Sequence, residues 1–281
     1  RANVVESRIV PIADREPEAV VEVVAALASE LGAGVDKVSA LGVSAGGLTE
    51  DYKILRQAAY MGWEDDVPLA RMLEEATGLP SAVDNDVAAW TEAERWFGSG
   101  KNRPDFALVT TGAGIGYSLV SQGNLVAGRE VGVGSLAHVP LDPLGPPCSQ
   151  GHHGCAEAML TTDAITKQVS LALGRPVEYA EALELSQNGN PAARSTVRAA
   201  ARAYGRLLAL VANTTFSPYI IVSGEGVDLA IDQKELVLDE FQAGRHPCAQ
   251  HVEIELKPAP FTEWARGAAV TAIQTYVLGR A

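Results

Sequence analysis

The spacing of hydrophobic residues changes repeatedly along the chain, from short apolar runs to apolar positions three and four residues apart. The short runs predict strands at 4–10, 38–43, 80–83, 106–110, 117–120, 219–222 and 251–256. The wider spacing predicts helices at 16–31, 67–76, 156–173, 179–185, 192–213, 232–242 and 264–278, and a further helix that ends at Phe97. Gly32, Gly78 and Gly98 follow three of these helices, where the backbone that ends a helix favours glycine. Strands that alternate with helices predict an α/β fold.

Composition restricts the class of protein. The chain has 281 residues, of which 47% are hydrophobic and 20% are charged, as is typical of a globular protein. No stretch approaches the ~18 to 20 consecutive apolar residues of a membrane-spanning helix, so no membrane partner is expected. The three cysteines, an odd number, argue against a secreted disulfide framework. We therefore expect the protein to act in the cytoplasm.

The charge balance is strongly acidic. The formal net charge is −13, because 35 acidic residues outnumber 22 Lys and Arg residues, and the sequence shows no cluster of basic residues. Binding of nucleic acid requires a basic surface that neutralises phosphates. These residues are therefore not expected to bind DNA by themselves.

The ten residues from Cys148 to Glu157, Cys-Ser-Gln-Gly-His-His-Gly-Cys-Ala-Glu, concentrate metal-binding side chains, and His138 lies ten residues before them. Thiolate and imidazole groups are the usual ligands of zinc, which takes four of them in structural sites. One alternative is that the cysteines are unrelated free thiols near surface histidines. The ligands predicted for a structural zinc are His138, Cys148, Cys155 and either His152 or His153.

A glycine-rich turn occupies 110–116, with the sequence Thr-Thr-Gly-Ala-Gly-Ile-Gly. Glycine allows the backbone to turn its N–H groups toward an anion. A predicted strand rather than a helix follows the turn, and the sequence contains no Gly-Lys-Ser/Thr, so neither a Rossmann fingerprint nor a P-loop is predicted. The turn is either a tight hairpin or a phosphate-binding loop.

The stretch around the predicted metal site resembles the signature of the ROK family of sugar kinases and sugar-responsive repressors. The family pattern is Gly-Glu-x-Gly-His followed by Cys-x-Cys-Gly-x-x-Gly-Cys-x-Glu. This chain has Gly-x-x-x-His at 134–138 and Cys-x-x-Gly-x-x-Gly-Cys-x-Glu at 148–157. Ser135 replaces the Glu, Ala137 the second Gly and Gln150 the middle Cys. In the family, that Glu helps to hold the sugar.

The resemblance also implies which residues contact a sugar. Members of the family carry an Asn-Asp pair at the start of a helix, and in kinases the Asp is the general base, so Asn85 and Asp86 are expected at the sugar. An Asp at such a position is otherwise only a helix cap. The other residues that the resemblance places at the sugar are Gly46, Ser135, His138 and Glu157, and Tyr60 stands where the family has Asn.

If the protein is a kinase, the resemblance implies two nucleotide loops that bind ATP with Mg²⁺. Their glycines are Gly112, Gly114 and Gly116 in the first turn, and Gly224 and Gly226 in the turn Ser-Gly-Glu-Gly at 223–226. The family's Asp-x-Gly-x-Thr turn is not found in this sequence, which opens at Arg1. We expect a further segment to precede Arg1.

The fold implied by the resemblance is the actin-like (ribonuclease H-like) sugar kinase fold, with two lobes and a sugar-binding cleft between them. We expect a smaller N-terminal lobe at 1–97, whose first strands lie upstream of Arg1. The larger C-terminal lobe at 98–281 contains the zinc loop 138–157. In this arrangement the last helix can pack back onto the N-terminal lobe.

Two functions agree with the resemblance. In the first, the chain is the effector-binding and dimerisation part of a sugar-responsive transcriptional regulator, a homodimer or homotetramer that reaches DNA only through a helix-turn-helix preceding Arg1. In the second, it is an ATP-dependent, glucokinase-like sugar kinase that lacks its N-terminus. The changes at Ser135, Gln150 and Tyr60 favour the regulator, because a kinase must position its sugar accurately. The retained Asn-Asp pair and the glycine-rich turn favour the kinase. We favour the regulator, with a sugar or sugar derivative as its ligand.

Overall fold

The structure is a computed structural model that describes residues 3–126, 134–258 and 260–279. Contacts within these ranges divide the chain into two units. The first unit contains residues 3–103 and 260–279, and the second contains residues 104–126 and 134–258. The predicted sugar residues Gly46, Asn85 and Asp86 belong to the first unit, whereas the metal loop and both glycine-rich turns belong to the second.

Helices and strands alternate along the described residues. The helices are α1 (Pro17–Gly32), α2 (Leu69–Thr77), α3 (Asp86–Phe97), α4 (Ala156–Leu160), α5 (Thr162–Leu173), α6 (Tyr179–Gln187), α7 (Pro191–Thr215), α8 (Val227–Asp232), α9 (Lys234–Ala243) and α10 (Thr262–Ala272), which continues into a π-helical turn (Ile273–Val277). The strands are β1 (Leu41–Ala45), β2 (Leu48–Glu50), β3 (Ile54–Arg56), β4 (Ser81–Asn85), β5 (Phe106–Thr111), β6 (Ile115–Ser121), β7 (Asn124–Leu125), β8 (Tyr219–Ser223) and β9 (Glu253–Leu256). The predicted α/β class is confirmed.

The first unit is built on two pairs of strands. β1 and β4 are parallel, with Leu41 opposite Ser81 and Ala45 opposite Asn85, and β2 and β3 form an antiparallel hairpin. α10 packs against β1, β4 and α3. Glycine makes this close packing possible, because a Cβ at Gly42 would overlap the carbonyl group of Ala268 in α10.

The second unit contains a five-stranded sheet in the order β7-β6-β5-β8-β9. β5, β8 and β9 are parallel to one another, whereas β6 and β7 form an antiparallel meander on the other side of β5. β5 and β8 are buried at every position, as expected for strands in the centre of a sheet. The long helix α7 joins this core through Tyr204, whose hydroxyl lies 2.9 Å from the Oγ1 atom of Thr111 in β5.

Several elements differ from the prediction. Residues 4–10 do not form a strand, and their apolar side chains are largely exposed, because an extended segment becomes a strand only beside a partner that shares its backbone hydrogen bonds. The helix predicted at 156–173 is two helices, since Thr161 is extended and its Oγ1 atom accepts a hydrogen bond from the Ala164 N–H. The helix predicted at 232–242 begins at Lys234, and the hairpin of β2 and β3 was not predicted.

Within the described ranges, no helix is both long enough and apolar enough to cross a membrane.

Candidate functional site

Four predicted metal ligands of the second unit lie together. His138, Cys148, His152 and Cys155 each offer one potential ligand atom, and these four atoms all lie within 4.8 Å of one another. Sγ of Cys148 is 3.7 Å from Nδ1 of His138 and 3.6 Å from Nδ1 of His152, and Sγ of Cys155 is 3.9 Å from Nδ1 of His138. In a tetrahedral zinc site with bonds of ~2.0 to 2.3 Å, neighbouring donor atoms are about 3.3 to 3.8 Å apart. The donor set and its spacing therefore fit a tetrahedral zinc.

The two candidate histidines of the metal loop point to different places. His152 lies in the cluster, and its ring is 4.9 Å from the His138 ring, centroid to centroid. Nδ1 of His153 instead lies 3.3 Å from the carbonyl oxygen of Gly145. Of the two alternatives left open by the sequence, the geometry therefore favours His152.

A tight turn holds the metal loop closed. The Cys148 N–H donates to the His152 carbonyl at 2.8 Å, and the Gly151 N–H donates to the Cys148 carbonyl at 3.0 Å. Gly154 has a φ of 56°, and a Cβ there would overlap the Asp142 carbonyl group. Glycine is thus required for the loop to bring Cys155 back beside Cys148.

Glu157 lies next to this cluster, in the first turn of α4. Its Oε1 atom accepts a hydrogen bond from the Ser149 hydroxyl at 2.8 Å, and its Oε2 atom is 3.3 Å from Nδ1 of His138. Ser135 lies in an exposed turn nearby in sequence, where the Ala137 N–H donates to the Gly134 carbonyl at 2.7 Å. Of the predicted sugar residues of the second unit, Glu157 therefore adjoins the predicted metal ligands, one of which is His138 itself.

The predicted sugar residues of the first unit meet where β4 passes into α3. Asn85 is only 2% exposed, and both ends of its amide are used: Nδ2 donates to the Gly47 carbonyl at 3.0 Å, and Oδ1 accepts from the Ala88 N–H at 3.1 Å. Asn85 is therefore the N-cap of α3, and Asp86 is its first residue. Asp86 Oδ1 accepts from the Val87 N–H at 2.8 Å.

The backbone of Gly46 is close to two side chains. A Cβ placed on Gly46 would lie 3.1 Å from Cδ2 of the Tyr60 ring and 3.6 Å from Oδ2 of Asp86. Tyr60 is 59% exposed. An aromatic ring thus borders the same small region as Oδ2 of Asp86 and the backbone of Gly46. The sequence placed Tyr60 at the sugar only as a departure from the family pattern.

Asp84, which the sequence grouped with Asn85 and Asp86 without giving it a role of its own, is a buried carboxyl group. It is 7% exposed, and it accepts hydrogen bonds from the Asn85 N–H at 2.8 Å, the Thr271 hydroxyl at 3.1 Å and the Thr49 hydroxyl at 3.4 Å. Burial raises the pKa of Asp84 to about 6, although these hydrogen bonds act in the opposite direction. An Asp inside an apolar strand was the available signal, but its partners on β2 and α10 are distant in sequence.

The two predicted nucleotide turns of the second unit pack directly on each other. The Gly226 N–H donates to the Thr111 carbonyl at 2.7 Å, and the Gly112 N–H donates to the Gly114 carbonyl at 3.0 Å. A Cβ at Gly224 would overlap the backbone of Thr111, and a Cβ at Gly112 would overlap the Glu225 carboxylate. Gly224 is therefore required by the packing of the two turns, whereas the atoms nearest to Gly112 belong to the flexible side chain of Glu225, whose carboxylate lies against the first turn.

Comparison with known proteins shows relatives of two kinds. The repressor described as "DNA-binding transcriptional repressor Mlc" from Escherichia coli (strain K12) is 27% identical over 201 residues, which are 68% of this chain and 49% of the repressor. The chain thus spans about half the length of that relative. An N-acetylmannosamine kinase from Escherichia coli O9:H4 (strain HS) is 29% identical over 248 residues, which are 86% of this chain and 81% of the kinase.

Solved structures with a matching fold include a kinase. The crystal structure of a ROK hexokinase from Thermus thermophilus matches with a TM-score of 0.78 and 29% identity, over 95% of this chain and 89% of the hexokinase. This match confirms the predicted actin-like class of fold. A profile of the ROK family matches residues 3–274. The chain therefore belongs to the ROK family.

Proposed function

We propose that this chain is the effector-binding part of a sugar-responsive transcriptional regulator of the ROK family. The observation that carries the proposal is the Glu225 carboxylate packed against Gly112. Catalysis of phosphoryl transfer depends on positive groups that neutralise the charge of the phosphates. The turns at 110–116 and 223–226 contain no Lys or Arg, and the only charged residue in them is Glu225. An anionic phosphate at this place is repelled rather than stabilised.

The ligand that we propose is a monosaccharide or a sugar derivative. Asp86 supports this, because a carboxylate in the first turn of α3 is stabilised by the positive end of the helix and is a strong acceptor for a sugar hydroxyl. Asn85 acts indirectly, since its amide is engaged by Gly47 and Ala88 and fixes the position of Asp86. In the second unit, Ser135, His138 and Glu157 are the residues proposed to contact the sugar.

We further propose that zinc binds His138, Cys148, His152 and Cys155. A zinc ion there supplies structural stability to the loop rather than catalysis, because all four positions of the tetrahedron are taken by protein atoms. Since Nδ1 of His138 faces the cluster, Nε2 is the nitrogen left to donate to a ligand. Metal binding thus fixes both the tautomer and the direction of the His138 ring.

The sugar kinase is the second candidate. It is favoured by the carboxylate of Asp86, which is suited to accept the proton of a sugar hydroxyl, and by the kinases among the relatives. In that case ATP and Mg²⁺ would bind at the turns that contain Gly112, Gly114, Gly116, Gly224 and Gly226. These glycines are compatible with either candidate, so Glu225 is the residue that separates the two.

Two measurements on one panel of sugars test the proposal. Calorimetry without nucleotide should detect binding of one sugar, and Asp86→Ala should weaken it, because a sugar hydroxyl loses its acceptor at a cost of about 1 to 3 kcal/mol. A coupled assay with ATP and Mg²⁺ should detect no sugar-dependent ADP production. Sugar-dependent phosphorylation that Asp86→Ala abolishes would instead establish the kinase.

The Glu225→Gln variant tests whether the Glu225 carboxylate disfavours phosphate at these turns. It should strengthen binding of ATP by about three- to tenfold, because it removes a negative charge beside the phosphates. Glu235→Gln is the matched control, since Glu235 is an exposed acid of the same unit on α9. If Glu225→Gln and Glu235→Gln leave the affinity for ATP equally unchanged, the argument from Glu225 fails.

A further inference from the structure

Four arginines lie on one side of α7. Arg194, Arg198, Arg202 and Arg206 recur at intervals of four residues, and the helix contains no Asp or Glu between Pro191 and Thr215. In a helix, residues four apart are neighbours on one side, about 6 Å apart along the axis. The sequence showed no basic cluster because three uncharged residues separate consecutive arginines. The helix brings them together.

The four arginines differ in their partners. Arg202 and Arg206 both pair with Glu240 of α9, and Arg206 also donates to the Leu141 carbonyl at 3.0 Å. Arg194 and Arg198 have no carboxylate partner among the described residues. In a chain of net charge −13, two adjacent guanidinium groups without an acid are a local site of positive potential.

Two cavities share these two arginines. The larger has a volume of about 510 Å³ and is lined by Arg194, Ser195, Arg198, Arg202, Pro191 and Asp142. The smaller has a volume of about 270 Å³ and adds the side chains of Ser186, Gln187 and Gln233 to the same two arginines. None of these lining residues is a proposed metal ligand or sugar contact. The cavities are therefore separate from the site described above.

The acid in the larger cavity is already engaged. Asp142 Oδ1 accepts a hydrogen bond from the Leu144 N–H at 3.0 Å, and Oδ2 lies 3.9 Å from Nη1 of Arg206. Among the described residues, Asp142 thus forms an ion pair with Arg206 and none with Arg194 or Arg198.

We propose that the Arg194–Arg198 groove binds a small molecule that carries a phosphate group. A guanidinium group can donate two parallel hydrogen bonds to one phosphate. Two arginine side chains that lie one helical turn apart can therefore bind the same phosphate from adjacent positions. Ser195 adds a hydroxyl beside them. The larger cavity lies within the range of about 300 to 1,000 Å³ that is usual for small-molecule sites.

The test is calorimetric titration of the purified chain at ~150 mM salt, where exposed charges are screened and only close contacts with the anion retain affinity. The probes are inorganic phosphate, glucose 6-phosphate and glucose. Both phosphates should bind with Kd below about 1 mM. The double variant Arg194→Gln/Arg198→Gln should weaken the binding of inorganic phosphate by at least about tenfold, since Gln keeps the helix propensity and loses the charge.

Further controls exclude a general effect of charge or misfolding and separate this site from the proposed sugar site. Arg175→Gln removes one exposed positive charge from the same unit and should leave phosphate binding unchanged. Asp86→Ala should also leave the binding of inorganic phosphate unchanged, and the double variant should not alter any binding of glucose. Circular dichroism should show the same helix content in the double variant as in the unmodified chain. If the double variant does not fold, Arg194→Gln alone, at an exposed position, is tested for weaker phosphate binding instead.

The proposal is overturned if neither phosphate binds, or if the double variant binds inorganic phosphate as tightly as the unmodified chain. Arginine-dependent binding of a glutamate-rich peptide, with no binding of either phosphate, would also overturn it, because the groove would then recognise an acidic protein segment.

Discussion

The free energy of unfolding should decrease as the pH rises and buried Asp84 becomes ionised. Replacing Asp84 with Asn should abolish this decrease. Asp84 is buried where β4 meets Thr49 of β2 and Thr271 of α10, and burial is the main reason why its pKa is raised from 3.8 to about 6. The nearby carboxylate of Glu92 raises the pKa further. Asn has nearly the same shape, and its amide keeps both contacts because a Thr hydroxyl accepts as well as donates hydrogen bonds.

The magnitude follows from the shift in pKa. The folded protein holds the Asp84 proton more tightly than the unfolded chain does, so the stabilising contribution is fully present below a pH of 3.8. It falls as the pH rises through about 6 and is lost above that value. One pKa unit corresponds to ~1.36 kcal/mol, and a shift of roughly two units therefore changes the free energy of unfolding by about 3 kcal/mol.

The assay is urea unfolding of the unmodified chain and of Asp84→Asn between about pH 4 and about pH 7. Because other carboxyl groups titrate in the same range, the informative quantity is the difference in unfolding free energy between the two proteins at each pH. This difference should move in favour of Asp84→Asn by about 2 kcal/mol across the range, because part of the full change already occurs below about pH 4. The control is Asp36→Asn, an exposed Asp of the same unit, for which the difference should stay constant.

A constant difference for Asp84→Asn would refute the reasoning, since it would mean that Asp84 keeps the same pKa in the folded and unfolded states. A shift in the opposite direction would mean that the hydrogen bonds from Thr49, Thr271 and the Asn85 N–H outweigh burial.

Two further predictions concern the metal and DNA. The chain purified without chelator should contain about one zinc per chain by elemental analysis, and removal of the metal should lower the temperature of unfolding. Cys148→Ser should lower it as well, whereas Cys248→Ser, at an exposed position, should change the unfolding free energy by less than about 0.5 kcal/mol. Duplex DNA should not bind residues 1–281 alone at ~150 mM salt, because the charge is −13, and binding in an electrophoretic mobility assay would contradict this.

The sequence predicted most of the helices and strands because their signals are local. α3 is an example: the apolar run before it, the capping amide of Asn85 and Gly98 after it all lie within a few residues. The same reasoning failed for residues 4–10, where an apolar run predicted a strand. A strand depends on a partner elsewhere in the chain, and the run itself carries no information about that partner.

The cluster of potential metal ligands was predicted for a similar reason. Three of its four ligands lie within eight residues of one another, at Cys148, His152 and Cys155, and one turn brings them together. Asp84 is the opposite case, because Thr271 lies 187 residues further along the chain. The arginines of α7 are an intermediate case. Their four-residue spacing is visible in the sequence, but which of them have an acidic partner depends on where Glu240 lies in the fold.

Glycine gave the least information about function, although the glycine-rich turns were the first reason to consider a nucleotide. Glycines such as Gly224 are needed because a Cβ there would overlap the backbone of Thr111 in the other turn, and this contact is the same whether or not phosphate binds. A regulator and a kinase built on this fold would therefore both retain them. The charge presented at the contact is what differs, and a carboxylate is an unfavourable neighbour for phosphate. Glu225, a residue between two of the glycines, thus bears on function more directly than the glycines do.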